Sequence, residues 1–395
     1  MGLPPVEDQP VNSRERFLAA LERRKPDRQP GTTHHVQDYF LKKYLAGASA
    51  QEFFDRFGLD PILWVDIHKP DTSRGQYLDP GHSPNHPMEA ARVVSDEWRI
   101  EAEPVPDPDY RTTRYTIHTP GGRLTTVIQS SEYTSWIAER LVKDKADIDL
   151  IARYAPAPLC DVEAVNRLAA EFGDRGMVRG TICYFDIYGQ PGCWQDAACL
   201  YGIENLILAT YDDPAWVHDF LGVLMERKKV FVRSLLGARF DVIEHGGGDA
   251  SSSVISPKIF ERFVAPYDAE LIRLAHEAGQ RVVYHTCGGM MAILELVAAT
   301  GTDAMETFTP PAMGGDTDLA EARRRLGDKV CFIGGFDQFH FFVGCKPEDT
   351  KREVRRCFEA AGRDGAYILS PSDHFFDADL ELIRAYAEEA RTCVY

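Results

Sequence analysis

The segment YHTCGG at residues 284–289 carries the clearest chemical signal in the sequence. It follows an apolar run, and His285 and Cys287 are two residues apart, so both side chains lie on one side if the strand continues. An imidazole and a thiolate at this spacing can bind one soft or borderline metal ion. The two glycines let the backbone turn tightly and approach a ligand. The alternative interpretation is a buried histidine and a small buried thiol that pack under the loop.

Two ligands do not complete a metal site, so a third must come from another segment. Asp373 and His374, near the end of the chain, are the best donors. Three protein ligands with an open fourth position would make a catalytic site and not a structural one.

A second candidate segment, EHGGGD, spans residues 244–249. Its three glycines permit close approach by a substrate, and Asp249 is positioned to contact one. Glu244 and His245 point to opposite faces of a strand, so only one can face the site as a general acid or base. The alternative is a pair that satisfies only structural needs.

Polar side chains also follow other predicted strands, and we interpret them as parts of one site. Of the adjacent pair His34 and His35, we expect one to face the substrate and the other to pack. Tyr184 and Tyr188 suit the wall of a pocket, although ordinary core aromatics would look the same. The catalytic candidates are His34, Asp66, Tyr184, Glu244 and His245, and the substrate-binding candidates are His35, Tyr188, Asp249 and Asp337.

Short apolar runs alternate with longer amphipathic stretches, a pattern typical of a parallel sheet with crossover helices. The predicted strands are 30–33, 62–66, 177–183, 241–245, 281–285, 304–308, 330–334 and 366–370. The predicted helices include 13–23, capped by Asn12 or Ser13, and 214–236, 257–278, 291–300 and 347–361. This pattern predicts an α/β fold, a closed (β/α)8 TIM barrel, whose active site lies at the C-terminal ends of the strands.

Residues 93–128 interrupt this rhythm with alternating polar and apolar residues around a Gly121-Gly122 turn. We predict an antiparallel β insertion between the second and third barrel strands. We see no internal repeat or low-complexity linker, so we expect residues 1–395 to form a single domain.

The composition narrows the class of protein. Lysine plus arginine is 44 and aspartate plus glutamate is 61, a net charge of −17. Such a chain repels nucleic acid and anionic membrane surfaces, and no stretch is apolar enough to cross a bilayer. The odd number of cysteines, nine, and the polar start of the chain fit reduced thiols in a cytoplasmic protein. We expect Cys160, Cys183, Cys199, Cys331 and Cys357 to pack in the core.

Several linked segments resemble the uroporphyrinogen decarboxylase superfamily, in particular its methylcobamide:coenzyme M methyltransferase branch. They occur in the family's order and run from the first helix to the C-terminus. The segments are SRERFLAALERRKPDRQP, TPGGRLTT with ERLVKDKADIDLI, GIENLILATYDDPAWV, SPKIFERFVAPYDAELI, YHTCGG, IGGFD and GAYILSPSDHFF. The family fold is a (β/α)8 barrel, which agrees with the strand count.

Two departures from the family pattern bear on function. The decarboxylases carry an arginine-bearing segment after the first strand, where this chain reads THHVQDYF, so we expect no decarboxylation of uroporphyrinogen. The methyltransferase branch binds zinc through the histidine and cysteine of its HxCG motif and a later cysteine. His285 and Cys287 match the first two, while Asp373 stands at the third. Aspartate also binds zinc, and His374 is adjacent.

The resemblance therefore implies a metal-dependent methyltransferase that acts on a small molecule. Zinc is the expected metal, with iron as the alternative, and the methyl donor would be a methylcorrinoid on a partner protein. The resemblance also favours a homodimer. A second hypothesis is a decarboxylase or other lyase of a small aromatic or heterocyclic acid, with the histidines and Asp66 transferring protons. A third hypothesis is a binding protein without catalytic activity. The many titratable side chains that follow the predicted strands argue against it.

Overall fold

The computed structural model describes residues 11–83, 91–327 and 329–395. The helices are α1 Ser13–Leu21, α2 Asp38–Tyr44, α3 Ala50–Phe57, α4 Asp147–Tyr154, α5 Val162–Phe172, α6 Cys193–Tyr201, α7 Ile203–Asp212, α8 Pro214–Arg233, α9 Pro257–Ile259, α10 Ala265–Glu277, α11 Leu294–Ala299, α12 Leu319–Leu326, α13 Gln338–Phe341, α14 Pro347–Cys357 and α15 Leu380–Thr392. The strands are β1 Ile62–Trp64, β2 His68–Lys69, β3 Gln76–Leu78, β4 Val93–Ser95, β5 Arg99–Val105, β6 Arg111–Thr119, β7 Gly122–Ser130, β8 Ser135–Glu139, β9 Leu159–Cys160, β10 Met177–Thr181, β11 Val242–Gly246, β12 Val282–His285, β13 Ala304–Thr307, β14 Cys331–Gly334 and β15 Tyr367–Ile368. Single-turn 3-10 segments are Thr72–Arg74, Gly173–Arg175, Gly248–Ala250 and Pro311–Met313, and π-helical segments are Phe260–Val264 and Phe358–Gly362.

The predicted helices are confirmed, with shorter ends. The first helix begins after Asn12, whose side chain accepts a hydrogen bond from the backbone N–H of Glu15 in a complete capping box. The predicted helices 257–278 and 347–361 each contain a π-helical turn, at Phe260–Val264 and Phe358–Gly362. Sequence periodicity does not distinguish that turn from regular α-helix.

A parallel sheet of seven strands forms the centre of the molecule, in the order β1-β10-β11-β12-β13-β14-β15. The neighbours are in parallel register, for example Glu244 opposite Val283 and His285 opposite Glu306. Strands that are covered by helices are apolar on both faces, which explains runs such as VVYH in β12. The sheet is curled as in a TIM-like fold, and seven of the eight predicted strands belong to it.

The remaining predicted strand, residues 30–33, is reduced to an isolated parallel bridge between Gly31 and Leu369. The backbone N–H of Thr32 donates to the Leu369 carbonyl at 2.9 Å, and that of Asp60 donates to the Gly31 carbonyl at 2.8 Å. This segment therefore lies between β15 and the start of β1, but with few ladder hydrogen bonds. Pro30 contributes no N–H, which helps to explain why a regular strand does not form.

A separate antiparallel sheet, in the order β5-β6-β7-β8, lies in the chain between β1 and β10. The turn between β6 and β7 contains Gly121, and Thr119 pairs with Gly122 across it. The sheet extends to Glu139, eleven residues beyond the predicted limit at Ile128. The final strand, β8, brings Ser135 to the mouth of the parallel sheet, as described below.

The core is a continuous cluster of buried hydrophobic side chains that includes the strands and the inner faces of the helices. All nine cysteines are free thiols, and the five that we expected in the core are buried. Within the described residues, no helix is both long and apolar enough to cross a membrane.

Candidate active site

Arg179 of β10 lies between two carboxylates inside the curled sheet. Its Nη2 donates to Glu244 Oε2 at 2.5 Å, and its Nη1 donates to Glu306 Oε2 at 3.0 Å. The side chain is fully buried, and its guanidinium carbon is 4.5 Å from the centre of the Trp64 ring. Burial disfavours the charged form of Arg179, but Glu306 and Glu244 outweigh it and raise the pKa of the guanidinium. The three residues thus form a hydrogen-bonded ionic cluster across β10, β11 and β13.

The ring of His285 connects this cluster to Cys287. Its Nδ1 is 2.8 Å from Glu306 Oε1, and its Nε2 is 3.1 Å from Cys287 Sγ. Burial alone would lower the pKa of His285, but Cys287, Glu244 and Glu306 together raise it well above its ordinary value. Burial raises the pKa of the Cys287 thiol, and the neighbouring His285 opposes that effect. With Nδ1 hydrogen-bonded to Glu306, the Nε2 atom is the one directed at the thiol.

Asp373, which follows β15, reaches the same place from across the mouth of the sheet. Its charge contributes to the raised pKa of the Cys287 thiol, its carboxylate accepts a hydrogen bond from the backbone N–H of His374 at 2.7 Å, and His374 Nδ1 lies 2.8 Å from it. Burial disfavours its ionised form, but His374, His285 and His34 lower the pKa of the Asp373 carboxyl below its ordinary value. Asp373 is therefore next to Cys287, while His374 contacts Asp373.

His34 completes this side of the cluster. Its ring centre is 5.8 Å from that of His285, and its carbonyl accepts a hydrogen bond from Trp64 Nε1 at 2.5 Å. Burial lowers the pKa of His34 to about 3, so the ring is neutral at physiological pH. Within the described part of the chain, the ligand atoms of His34, His285 and Glu306 lie within 4.8 Å of one another.

The donor atoms present fit a metal ion. His285 Nε2 and Cys287 Sγ, 3.1 Å apart, can both reach one zinc ion at the usual bond lengths of about 2.0–2.3 Å. Glu306 is bound by Arg179 and by the other nitrogen of His285, which is the usual arrangement of a carboxylate that orients a metal-binding histidine. Among the described residues, the ligand atoms that converge belong to His34, His285 and Glu306, so the structure adds His34 to the predicted histidine and does not group Asp373 or His374 with it.

A cavity of about 340 Å³ opens next to the ionic cluster. Its lining includes Thr181 and Glu244 from the parallel strands, Tyr184 and Tyr188 from the loop after β10, and Ser135 from β8. Tyr184 donates its hydroxyl to Asp66 at 3.0 Å, and Tyr188 donates its hydroxyl to the Ser135 carbonyl at 2.9 Å. This volume is at the lower end of the range for small-molecule sites.

The structure places Glu244 inward and His245 outward. Fully buried His245 is 2.8 Å from Asp268 of α10, and Tyr284 donates its hydroxyl to the same carboxylate at 2.9 Å. His245 therefore faces a helix and not the cavity, which resolves the choice that strand alternation left open.

Three other candidates, Asp249, Asp337 and His35, make their contacts away from the cavity. Asp249 accepts a hydrogen bond from Gln195 Nε2 at 2.8 Å, and Asp337 accepts one from the backbone N–H of His340 at 3.1 Å as the N-cap of α13. His35 packs edge-on against Trp64 with ring centres 6.0 Å apart, and burial lowers its pKa to about 4. In the described structure none of these three is part of the cavity lining.

Arg179 is not among the residues predicted from the sequence, because it lies in the middle of β10 and not at the end of a strand. The sequence nevertheless contains an indication that Arg179 is part of a site. An arginine in the apolar strand MVRGT must have buried carboxylate partners, since a buried unpaired charge is very costly.

Comparison with known proteins supports the family and the fold. The family model described as uroporphyrinogen decarboxylase (URO-D) matches residues 137–393. The solved structure of a methyltransferase from Methanosarcina mazei aligns with a TM-score of 0.61 and 14% sequence identity, covering 96% of this chain and 98% of that one. At this identity the alignment demonstrates a shared fold alone.

Two sequence relatives illustrate the range of the family. A uroporphyrinogen decarboxylase from Trichodesmium erythraeum is 28% identical over 242 residues, which are 58% of this chain and 62% of the relative. A methylated-thiol–coenzyme M methyltransferase from Methanosarcina mazei is 23% identical over 195 residues, 49% of this chain and 50% of the relative. The matched segments thus span between half and two thirds of these two relatives.

Proposed function

Because the chain belongs to the uroporphyrinogen decarboxylase family, we propose that it is a metal-dependent methyltransferase acting on a small molecule. The observation that carries this proposal is the pair of His285 Nε2 and Cys287 Sγ, 3.1 Å apart, with Glu306 hydrogen-bonded to the other nitrogen of the imidazole. The methylated-thiol–coenzyme M methyltransferase relative supports the choice within the family.

In this proposal His285, Cys287 and Asp373 hold zinc, or iron if the site takes a higher coordination number. When bound, such a metal lowers the pKa of a thiol or water and so supplies a nucleophile near neutral pH. Glu306 fixes the ring of His285, and Arg179 fixes Glu306. The methyl donor would be a methylcorrinoid on a partner protein.

The remaining residues of the site would handle the substrate. The cavity holds it beside the ionic cluster, with the rings of Tyr184 and Tyr188 as walls. Asp66 orients the Tyr184 hydroxyl, which is positioned to move a proton at its oxygen atom. The neutral ring of His34 borders the metal ligands without adding charge.

The Tyr184–Asp66 pair also favours a second candidate, a lyase that acts on a small aromatic or heterocyclic acid. A hydroxyl next to a carboxylate in a cavity wall is a suitable acid and base for proton transfer. The carboxylate clamp of such an enzyme would need a free cation, however, and Arg179 is already bound by Glu244 and Glu306. This candidate therefore ranks second.

Metal analysis tests the proposal directly. Protein supplemented with zinc or iron should retain about one equivalent of metal and should lose most of it in Cys287→Ser. Cys345→Ser is the matched control, because Cys345 is also a partly exposed thiol but contacts Thr350 away from the site. Full activity with less than about 0.2 equivalents of any transition metal would overturn the proposal and favour the lyase.

A further inference from the structure

The peptide groups on both sides of Cys287 are held by a pair of threonine hydroxyls from the neighbouring strand. Thr307 is the last residue of β13, which is adjacent to β12, and its Oγ1 donates to the carbonyl of Thr286 at 3.2 Å. Two residues later, Thr309 Oγ1 accepts a hydrogen bond from the backbone N–H of Gly288 at 3.3 Å. The two hydroxyls are 2.8 Å apart. Cys287 is therefore bracketed by one continuous set of hydrogen bonds.

The direction of each hydrogen bond in this set follows from the number of protons available. A threonine hydroxyl has a single proton to donate. The proton of Thr307 is committed to the Thr286 carbonyl, so in the contact between the two hydroxyls Thr309 is the donor. The oxygen of Thr309 remains free to accept from the N–H of Gly288. All the bonds thus run in one direction, and loss of either hydroxyl breaks the connection.

Both threonines are buried and their own backbones are fixed. Thr307 is 1% exposed and Thr309 is 6% exposed. The carbonyl of Thr307 accepts a hydrogen bond from the N–H of Gly335 at 2.9 Å, and the carbonyl of Thr309 accepts one from the N–H of Thr317 at 3.1 Å. Because water is largely excluded and the threonines cannot shift easily, their hydroxyls impose one position on the segment that they bind.

This support matters because Cys287 lies beyond the end of a strand. The strand β12 ends at His285, whose partner in β13 is Glu306. Gly288 has a φ of +86°, so the chain has left strand geometry directly after the cysteine. Fixing the carbonyl before Cys287 and the N–H after it fixes the direction of the Cα–Cβ bond. That direction sets the 3.1 Å separation of Cys287 Sγ from His285 Nε2.

We propose that Thr307 and Thr309 are positioning residues, which hold the Cys287 thiol against His285 Nε2 so that both can bind one metal ion. Within the described structure neither threonine lines the cavity, so they act through the backbone of the cysteine segment. The connection to metal binding rests on the proposed function. The placement of the thiol does not, since these hydrogen bonds are present in the protein alone.

Titration with cobalt(II) tests the proposal, because a thiolate bound to cobalt gives a charge-transfer absorption band that reports the metal–sulfur bond. Thr309→Val keeps the shape of the side chain but removes the hydroxyl, and it should weaken cobalt binding about tenfold and reduce the band at saturation. Thr307→Val breaks the same set of bonds and should have the same effect. Thr309→Ser retains the hydroxyl and should restore both properties. Wild-type affinity and a wild-type band in Thr309→Val would overturn the proposal.

Thr302→Val is the matched control. The buried hydroxyl of Thr302 is 2.9 Å from the carbonyl oxygens of Val282 and Ala304, at the opposite end of β12 and β13. This variant should lose a similar amount of stability in urea but leave the cobalt affinity and the band unchanged. An equal loss of affinity in Thr302→Val and Thr309→Val would indicate a general effect of stability and would overturn the positioning role.

Hydrogen exchange of the metal-free protein separates an error in this proposal from an error in the proposed function. In Thr309→Val the amide of Gly288 loses its acceptor and should exchange about tenfold faster than in wild type, whereas Thr302→Val should not change it. If the wild-type protein binds no metal, the proposed function fails, and the exchange rate still decides whether the hydroxyls hold the segment. An unchanged rate at Gly288 in Thr309→Val would overturn the proposal.

Discussion

Arg179 and Glu306 are hydrogen-bonded across the interior of the curled sheet, from β10 to β13, which are three strands apart. Since Glu306 also accepts a hydrogen bond from His285, the guanidinium is connected to the candidate metal ligand through one carboxylate. The ionic cluster is therefore both a structural link between strands and a support for the site.

Arg179→Met should lower the free energy of unfolding by about 3–5 kcal/mol, because two buried carboxylates lose their shared partner. Urea denaturation measures this loss. Arg273→Met, which breaks exposed ion pairs on α10, should cost less than about 1 kcal/mol. Equal effects of the two substitutions would contradict the role of Arg179 in the interior.

Glu306→Gln should weaken metal binding about 10–100-fold, since the amide supports the ring of His285 less strongly than a carboxylate does. Cys287→Ser removes a ligand and should have the larger effect. Titration against a chelator of known affinity compares the two variants. A Glu306→Gln protein that binds metal as tightly as wild type would show that Glu306 acts only in folding.

Metal affinity should increase with pH across about pH 6 to about pH 8. Burial raises the pKa of Cys287, so the thiol is protonated through this range and must release its proton when it binds metal. The proton competes with the metal, so affinity falls as pH decreases. Competition titrations at several pH values measure the slope, and Cys287→Ser should make it shallower but not flat, because the metal still competes with a proton on His285, whose pKa is also raised. An affinity that does not change with pH would argue against the thiolate as a ligand.

His245→Phe should destabilise the fold by about 3 kcal/mol without changing metal content. The substitution leaves the buried Asp268 with Tyr284 as its remaining side-chain hydrogen-bond partner. Thermal unfolding together with metal analysis distinguishes this outcome from a role in catalysis. Loss of metal at full stability would place His245 in the site after all.

The purified protein should not convert uroporphyrinogen to coproporphyrinogen. The segment after Thr33 offers His34 and His35 where the decarboxylases have an arginine, and Arg179 is occupied by carboxylates. Chromatography of the porphyrins after oxidation gives the answer. Any enzyme-dependent coproporphyrin would contradict this expectation.

Most of the parallel sheet could be predicted from the sequence because buried strands leave a strong signal of short apolar runs. Residues 30–33, Pro-Gly-Thr-Thr, were harder, since their composition does not distinguish a single bridge at Gly31 from a full strand. Strand alternation alone does not show that Glu244 points inward. That direction is explained by its hydrogen bond with Arg179, which the alternation does not identify.

Because His285 and Cys287 are two residues apart, the sequence predicts that their side chains lie on the same side. The structure agrees, with His285 Nε2 and Cys287 Sγ 3.1 Å apart. Asp249 and Asp337 illustrate the opposite case. Both lie just after strands, yet one contacts a glutamine side chain and the other caps a helix, because acidic residues are as useful for holding loops as for binding ligands. A position just after a strand therefore predicts that a side chain lies near the mouth of the sheet. It does not predict the direction in which that side chain points.

The wall of the cavity is shared between two parts of the chain. Ser135 comes from the antiparallel sheet and Thr134 from the turn before it, whereas Thr181 and Glu244 come from the parallel strands. Changes in the turn before β8 can thus reshape the entrance while the reacting groups stay fixed. The shape of the entrance and the identity of the reacting groups are therefore encoded in separate segments of the sequence.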